Sequence, residues 1–305
     1  SIKHKPENTV LLISYLGFDT LRITSGLDKP IKVILASSDA SKLKEVIISQ
    51  KRKPLQRTIF SSRNVTTVGS DELLKAACCN LSESFETNPS IDVNYADALT
   101  GTKQIQMLGL TSPYILFTQE NIPSLRGSNQ TFGLTFTPGT WVESIQITKG
   151  AGSVTSGYES ISGQINTELI KPLTAPPLFV NGFRSVNGRT ELNIQTKHEL
   201  SPKWTTSLFL HGNQRKKKTD QNKDGFLDMP LSQQINILNR WQFIDPEKGW
   251  VGFASLRYLK DEKQVGQLNF DPEIHQFGNL MWGGELKTDK WDMTLKTGYV
   301  FPEIP

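Results

Sequence analysis

The 305-residue sequence has only two cysteines, and they are neighbours, Cys78-Cys79. A pair that close encloses no loop, so no disulfide framework organises the chain. Adjacent helical residues point about 100° apart, so the two thiols are poorly placed to grip one metal and read as small apolar side chains. An excess of one charge is also missing: 34 Lys and Arg stand against 30 Asp and Glu, a net +4, which excludes the global polycation expected of a nucleic-acid binder. No apolar run reaches the ~20 residues of a membrane helix, and the longest, 10–18, is about half that. The absence leaves a transmembrane barrel open, because its strands need only about 10 residues that alternate between lipid and lumen. A hydrophobic share of 36% suits that case. The first residue is Ser1 with no charged-then-apolar leader behind it, so any export signal is expected to have been removed or to lie outside this stretch.

Catalytic patterns are equally scarce. No nucleophile, base and orienting group recur at a recognised spacing, so an enzyme is not expected. His4 and Glu7 have the spacing of a zinc-ligand pair, but Pro6 interrupts the element and no third ligand follows in context among His198, His211 and His275. Gly152 and Gly157 have the spacing of a phosphate-cradling loop, but Tyr158 stands where a Lys must reach the phosphate.

What is present is organised around Trp141-to-Asn166, WVESIQITKGAGSVTSGYESISGQIN. It places alternating apolar residues (Val142, Ile145, Ile147), then a Gly-rich turn through Gly150, Gly152 and Gly157, then Gly163-Gln164-Ile165-Asn166. The glycines are expected to form turns and close-packed positions. Upstream, 9–15, 20–23 and 31–35 read as short strands separated by turn residues. Next comes a Ser/Lys/Arg-rich stretch with one apolar island at 43–49; Leu43, Glu45, Val46, Ile47 and Ile48 have the composition of a segment that adds as a strand to a partner's sheet edge. A helix is expected over 71–87, with Ser70 as N-cap and a stripe of Leu74, Cys78, Leu81 and Phe85. Short strands follow at 91–95, 103–108, 114–118 and 141–148.

Two resemblances emerge from these segments. LLISYLGFDT resembles the end of the small β-sandwich called the carboxypeptidase-regulatory-like domain, which often precedes outer-membrane receptors of Bacteroidetes-type bacteria. More specifically, LSESFETNPSIDV, TKQIQMLGL, YILFTQENIPS and the stretch 141–166 resemble, in order, the pieces of the plug domain of TonB-dependent outer-membrane receptors. The chain departs from that pattern at Met107-Leu108-Gly109, where an Arg-Gly pair is frequent, and at Gln119-Glu120-Asn121, where Asp-Gly is. The resemblance implies that 43–49 meets a periplasmic energising protein of the TonB type, and that apical loops meet a small-molecule ligand through Met107, Gly109, Arg126 and Phe132. It leans toward a metal or metal chelate.

After 172–177 the period changes to long alternating strands, read at 178–186, 190–199, 204–213, 232–243, 250–259, 277–287 and 291–301. Short turns at 200–203, 245–249 and 288–290 alternate with long polar loops at 214–231 and 260–276, the outer-membrane pattern. Seven such strands cannot close a receptor barrel, and an open sheet does not survive in lipid, so the chain is expected to be a piece of a longer one. The fold class is therefore mainly β: the end of a sandwich (1–36), a linker (37–63), an α+β plug (64–171) and the first antiparallel transmembrane strands of a barrel (178–305).

Within the first long loop Asp220, Asn222, Asp224, Phe226 (through its carbonyl) and Asp228 have calcium-loop spacing around Gly225, although Leu231 replaces the bidentate Glu. Two readings stand, a Ca²⁺ site that stiffens the loop and a solvated turn rich in Asp and Asn. The adjoining Arg215-Lys216-Lys217-Lys218 meets either lipopolysaccharide phosphates or water. The functional expectation is active uptake of a small ligand across the outer membrane, in contact with its lipid and lipopolysaccharide; the alternative is a structural subunit that binds other outer-membrane proteins.

Overall fold

The computed structural model describes residues 10–14, 18–24, 33–35, 55–57, 65–70, 73, 80–85, 91–97, 100–127, 129–152, 156–275, 278 and 281–301. The chain divides into two compact units, 1–52 and 53–305. In the first, β1 (Val10–Ile13) and β2 (Leu21–Thr24) form an antiparallel hairpin. Residues 33–35 are described and carry no strand, so the third expected strand is not seen there. The island 43–49 lies outside the described residues, as do Leu74, Cys78 and Cys79.

The described residues of the second unit form three sheets. Two strands that sequence reading missed, β3 (Leu55–Arg57) and β4 (Val65–Gly69), open it. The helix expected over 71–87 is not continuous. Asn80 has extended backbone (φ −146°, ψ 171°), and its side-chain oxygen accepts from the Glu83 backbone N–H to cap a separate turn of helix, Leu81–Ser84. Leu81 and Phe85 still point into the core as the apolar stripe required. Then follow β5 (Asp92–Asp97), β6 (Thr102–Met107) and β7 (Leu110–Thr111), one three-stranded sheet. The strands β8 (Ile115–Gln119), β9 (Ile122–Pro123), β10 (Val142–Lys149) and β11 (Gly163–Leu169) join β3 and β4 in the order β3-β4-β10-β11-β8-β9.

The stretch 141–166 supplies the two central strands of that sheet. Ile145 and Ile147 of β10 and Ile165 of β11 are buried in one cluster with Trp141, Ile115 and Phe117. Its glycines do two jobs. Gly150 has φ +83°, a left-handed turn open to Gly without strain. At Gly163 an added Cβ would stand 2.4 Å from Met107 Cε and 2.9 Å from the Thr148 carbonyl oxygen, so the strand approaches too closely for any side chain.

The third sheet is a meander of six antiparallel strands: β12 (Leu178–Arg184), β13 (Arg189–Ser201), β14 (Trp204–Arg215), β15 (Leu231–Asp245), β16 (Trp250–Gly266) and β17 (Gly283–Tyr299). The sixth and seventh expected strands are one strand of 17 residues, and the turn expected at 288–290 lies within it. The polar Thr288-Asp289-Lys290 run mimicked a turn, but it pairs in register with Leu259-Lys260-Asp261 where both strands continue past the apolar band. The connections 185–188 and 216–230 and the residues 267–275 lie at one end of this sheet and the short turns 202–203 and 246–249 at the other.

Alternation divides the meander into two faces. The face turned to the other sheets buries Asn193, Gln195, Ser207, Gln234, Asn236 and Arg240. The opposite face exposes Val180, Leu192, Ile237, Leu256, Met293 and Leu295. Aromatic pairs mark its borders: Trp204 with Phe243 (4.9 Å between rings) and Trp250 with Tyr299 (5.0 Å) at the short-turn end, and Tyr258 with Trp291 (4.7 Å) towards the other. From Trp250 to Tyr258 is about 27 Å along the strand, about 20 Å of height at the 35–45° tilt of barrel strands, near the height of the apolar band of an outer-membrane barrel flanked by aromatic girdles. The outward face is thus built for lipid.

Gly163→Ala should lower the stability of the folded chain by about 1–3 kcal/mol, because neither the Thr148 carbonyl nor the buried Met107 can move away freely. Thermal or urea unfolding of the two proteins checks this; equal midpoints would show that the packing around β11 is looser than described.

Candidate functional site

The inward face of the wall is a set of donors that meet main-chain carbonyls of the inner sheets. Gln195 Nε2 donates to the Thr140 carbonyl (2.7 Å), Gln234 Nε2 to Thr135 (3.4 Å) and Asn236 Nδ2 to Phe136 (2.7 Å). Arg257 also donates to the Phe136 carbonyl, and its Nε donates to Asn236 Oδ1 (3.0 Å). Arg240 Nη1 donates to the Ile170 carbonyl (2.7 Å). Along β15 the contacts descend in order from the long-loop end: Gln234, Asn236, Arg240 and finally Gln242, whose Oε1 accepts from the Leu173 backbone N–H (3.1 Å). Apolar packing joins them, since Phe209 and Leu238 of the wall belong to the cluster that holds Trp141. Arg257 also lies over the Trp141 ring, 5.6 Å from its centroid.

One charged contact stands apart. The two-residue turn between β8 and β9, Glu120-Asn121, has both φ angles positive, +53° and +64°. That is the mirror-image hairpin turn, which Asp-Gly and Asn-Gly favour and Glu does not. Two interactions hold Glu120 there: its backbone N–H donates to the Thr167 carbonyl (2.9 Å), and its carboxylate pairs with Arg240, with Lys296 at 4.0 Å. Asn166, the last residue of the stretch 141–166, accepts from the Asn121 N–H (2.8 Å) and the Thr118 hydroxyl (2.9 Å) on the same side-chain oxygen. The departure from Asp-Gly at this turn thus provides an ion pair to the wall.

Two cavities lie between the inner sheets and the wall. One, of about 220 Å³, is lined by β8–β9 residues such as Phe117 and Thr118 and by Ser255, Arg257, Asp292 and Met293. The other, of about 140 Å³, is at the long-loop end and gathers Glu83, Lys103, Arg189, Arg215, Asp261 and Lys263. Within it Arg189 bridges Glu83 and Glu191. Sequence reading missed these wall residues, although the alternating Asn193, Gln195 and Gln234, Asn236 positions carried the signal.

The four expected ligand contacts line neither cavity. Met107 is buried in the core under Gly163 and has no access to a ligand, which corrects its assignment: the apolar position belongs to β6, and the loop begins only at Leu108. Gly109 is exposed at the β6–β7 turn with φ +79°. Phe132 is half-buried, with Lys263 Nζ 5.7 Å from its ring centroid. Arg126 makes an ion pair with Glu159 at 2.6 Å. Burial pushes the Glu159 carboxyl up, but the hydrogen bond and charge of Arg126, with backbone N–H bonds, outweigh it and hold the group below its ordinary value of 4.5.

In the first long loop the Asp side chains accept local backbone N–H groups. Asp220 accepts from Asp224 (3.2 Å) and Gly225 (3.0 Å), Asp224 from Phe226 (2.8 Å), and Asp228 from Gln221 (2.9 Å). Among the described residues no three His, Cys, Asp or Glu side chains are gathered to hold a metal ion. Asp220 and Asp224 thus close local Asx turns within the loop.

The family model "TonB-dependent Receptor Plug Domain" matches residues 58–164. No curated protein matches the chain by sequence. Among solved structures the chain is similar to the ferric yersiniabactin uptake receptor of Yersinia pestis, with TM-score 0.62 and 15% identity over 79% of this chain and 39% of that one. It is similar also to the pyoverdine outer membrane receptor of Pseudomonas aeruginosa, with TM-score 0.56 and 14% identity over 68% of this chain and 29% of that one. A copper transporter matches with TM-score 0.53 and 13% identity over 70% of this chain and 32% of that one. Such identities speak for the fold, and the chain spans between 29% and 39% of the length of these three proteins.

Arg240→Ala removes the donor to both the Ile170 carbonyl and the Glu120 carboxylate at a side chain only 4% exposed. The expected loss is about 3–5 kcal/mol, whereas Glu120→Gln, which keeps an acceptor, should cost less. Thermal unfolding of the full-length protein in detergent compares them, and an Arg240→Ala midpoint equal to wild type would show that the seam is held elsewhere. An inner body, matched over residues 58–164 by the plug-domain model of TonB-dependent receptors, is seated by donors on a wall with an apolar exterior, and this fold is similar to that of the ferric yersiniabactin and pyoverdine receptors.

Proposed function

We propose that the protein takes part in active uptake of a metal chelate or metal ion across the outer membrane. The observation that carries this reading is the seam itself: the inner body meets the wall through separate hydrogen bonds to main-chain carbonyls, a contact that can be broken in steps. The solved structures of similar fold are named for a ferric chelate, a pyoverdine and copper. The polar cavity at the long-loop end, with Arg189, Arg215, Lys103 and Lys263 opposite Glu83 and Asp261, suits a charged chelate better than an apolar solute. Coupling would run through Leu43, Glu45, Val46, Ile47 and Ile48, whose composition suits strand addition to an energising protein in the periplasm.

The test is uptake by cells that carry the full-length receptor. A deletion strain should fail to accumulate at least one radiolabelled ferric chelate or copper, the full-length gene should restore it, and deletion of 43–49 should abolish the restoration while leaving the protein in the outer membrane. Uptake undiminished by loss of the gene would overturn the transport reading. Restoration that survives deletion of 43–49 would overturn only the coupling assignment.

A further inference from the structure

One side chain on the outward face of the wall does not suit lipid. From Ile235 to Phe243 the outward positions of β15 are Ile235, Ile237, Asn239, Trp241 and Phe243, and Asn239 stands in the middle of them. Its cross-strand partners are also apolar, Leu208 on β14 and Leu256 on β16. Because β15 is paired on both sides, these surroundings are complete. Phe243, packed on Trp204, marks the short-turn border of the apolar band. Asn239 is four residues from it, about 13 Å along the strand and about 10 Å in height at the tilt of barrel strands. In a band about 25 Å tall that depth is near the middle, beyond the reach of headgroups and water.

The amide is only partly satisfied. Thr206 Oγ1 is 3.2 Å from Asn239 Oδ1 and 2.9 Å from the Arg240 carbonyl oxygen. A hydroxyl has one proton to give, and the shorter contact takes it. The amide then turns an N–H towards Thr206 Oγ1, which leaves its second N–H and its carbonyl with no partner among the described residues. A Thr206 proton given to Asn239 instead leaves both N–H groups open. In either arrangement a donor and an acceptor face acyl chains that can answer neither. Higher on the same face Gly212 of β14 stands between Leu192 of β13 and Ile235 of β15. The missing side chain opens a hollow of about 260 Å³ whose lining includes Leu192, Gly212 and Ile235. A small residue on a lipid-facing surface lets another protein surface approach closely.

We propose that this face pairs with a second copy of the chain inside the membrane, with the Asn239 amides of the two copies hydrogen-bonded to each other. A carboxamide with an N–H and its carbonyl both open is its own complement: across a two-fold axis two of them exchange N–H···O bonds in both directions. The outward residues around it, Leu208, Ile237, Trp241 and Leu256, carry no charge, so nothing there calls for an ionic partner, and they keep water from the bond. The proposal rests on the lipid-facing reading of the outward wall and is independent of what is transported.

The experiment reconstitutes the full-length protein, labelled in two populations with a donor and an acceptor dye, in vesicles of phosphatidylethanolamine and phosphatidylglycerol. Energy transfer between copies is followed as the protein-to-lipid ratio rises. Wild type should show transfer that saturates. N239L should need at least about tenfold more protein per lipid for half-maximal transfer, although it makes the face more apolar. G212L, which fills the hollow, should shift the curve in the same direction. Wild type that gives no transfer, or N239L within about twofold of wild type, would overturn the pairing. A photoreactive Ile237→p-benzoylphenylalanine in outer membranes decides if N239L folds poorly: cross-links to peptides of this same chain support the second copy, and cross-links to lipid alone or to a different protein overturn it. Full-length protein absent from the outer membrane would sink the lipid-facing reading itself, whereas membrane-resident protein that stays monomeric sinks the pairing alone.

Discussion

A main-chain carbonyl lodged inside a barrel has lost water and must find a donor, and this requirement shapes the wall. The plug segment 135–140 and the link that leaves β11 present carbonyls of Thr135, Phe136, Thr140 and Ile170, and the wall answers with Gln234, Asn236, Arg257, Gln195 and Arg240. These donors recognise backbone, which any plug sequence offers, so the seam constrains the wall's residues more than the plug's. Each bond contributes little alone, about 0.5–1.5 kcal/mol for a neutral donor, which suits a part that must be both seated and removable.

The stretch from Trp141 to Asn166 connects this seam to the plug core. Trp141 is fully buried and touches Phe209 of the wall, with 5.7 Å between rings, while Ile165 fills the centre of the plug sheet. Asn166 next to it closes the turn that holds Glu120 against Arg240. Core packing, a strained turn and a plug-to-wall ion pair are therefore set by residues at the two ends of this one stretch. The glycines serve the same geometry through close approach at Gly163 and a left-handed turn at Gly150, with no part in phosphate chemistry.

The two faces of the wall obey opposite demands. Inward positions carry amides and guanidiniums because they meet carbonyls, and outward positions carry aliphatics bordered by aromatics because they meet lipid. Where the strands leave the apolar band the outward face becomes charged, with ion pairs on β16 and β17. Inside the band Asn239 departs from the rule, which sets the middle of β15 apart.

By itself the sequence determined the class of fold, the plug, the direction of the strands and the alternation of their faces, because these depend on local periodicity and on glycines at fixed spacing. It placed Trp204 and Trp250 at strand starts to the residue, where an aromatic follows a polar turn. It erred where local composition imitated something else: Thr288-Asp289-Lys290 looked like a turn and is strand, the span 71–87 looked like one helix and breaks at Asn80, and Met107, expected at a ligand, is buried in the core. The oxygen-rich run from Asp220 had the spacing of a metal site, but whether side chains turn to an ion or to their own backbone is a matter of conformation. Only the tertiary structure decided which wall residue meets which plug carbonyl, and that Thr206 and Asn239, 33 positions apart, meet on the outward face. Those pairings depend on the register of strands far apart in the chain, and no local pattern encodes a register that only the seated plug and the neighbouring strands impose.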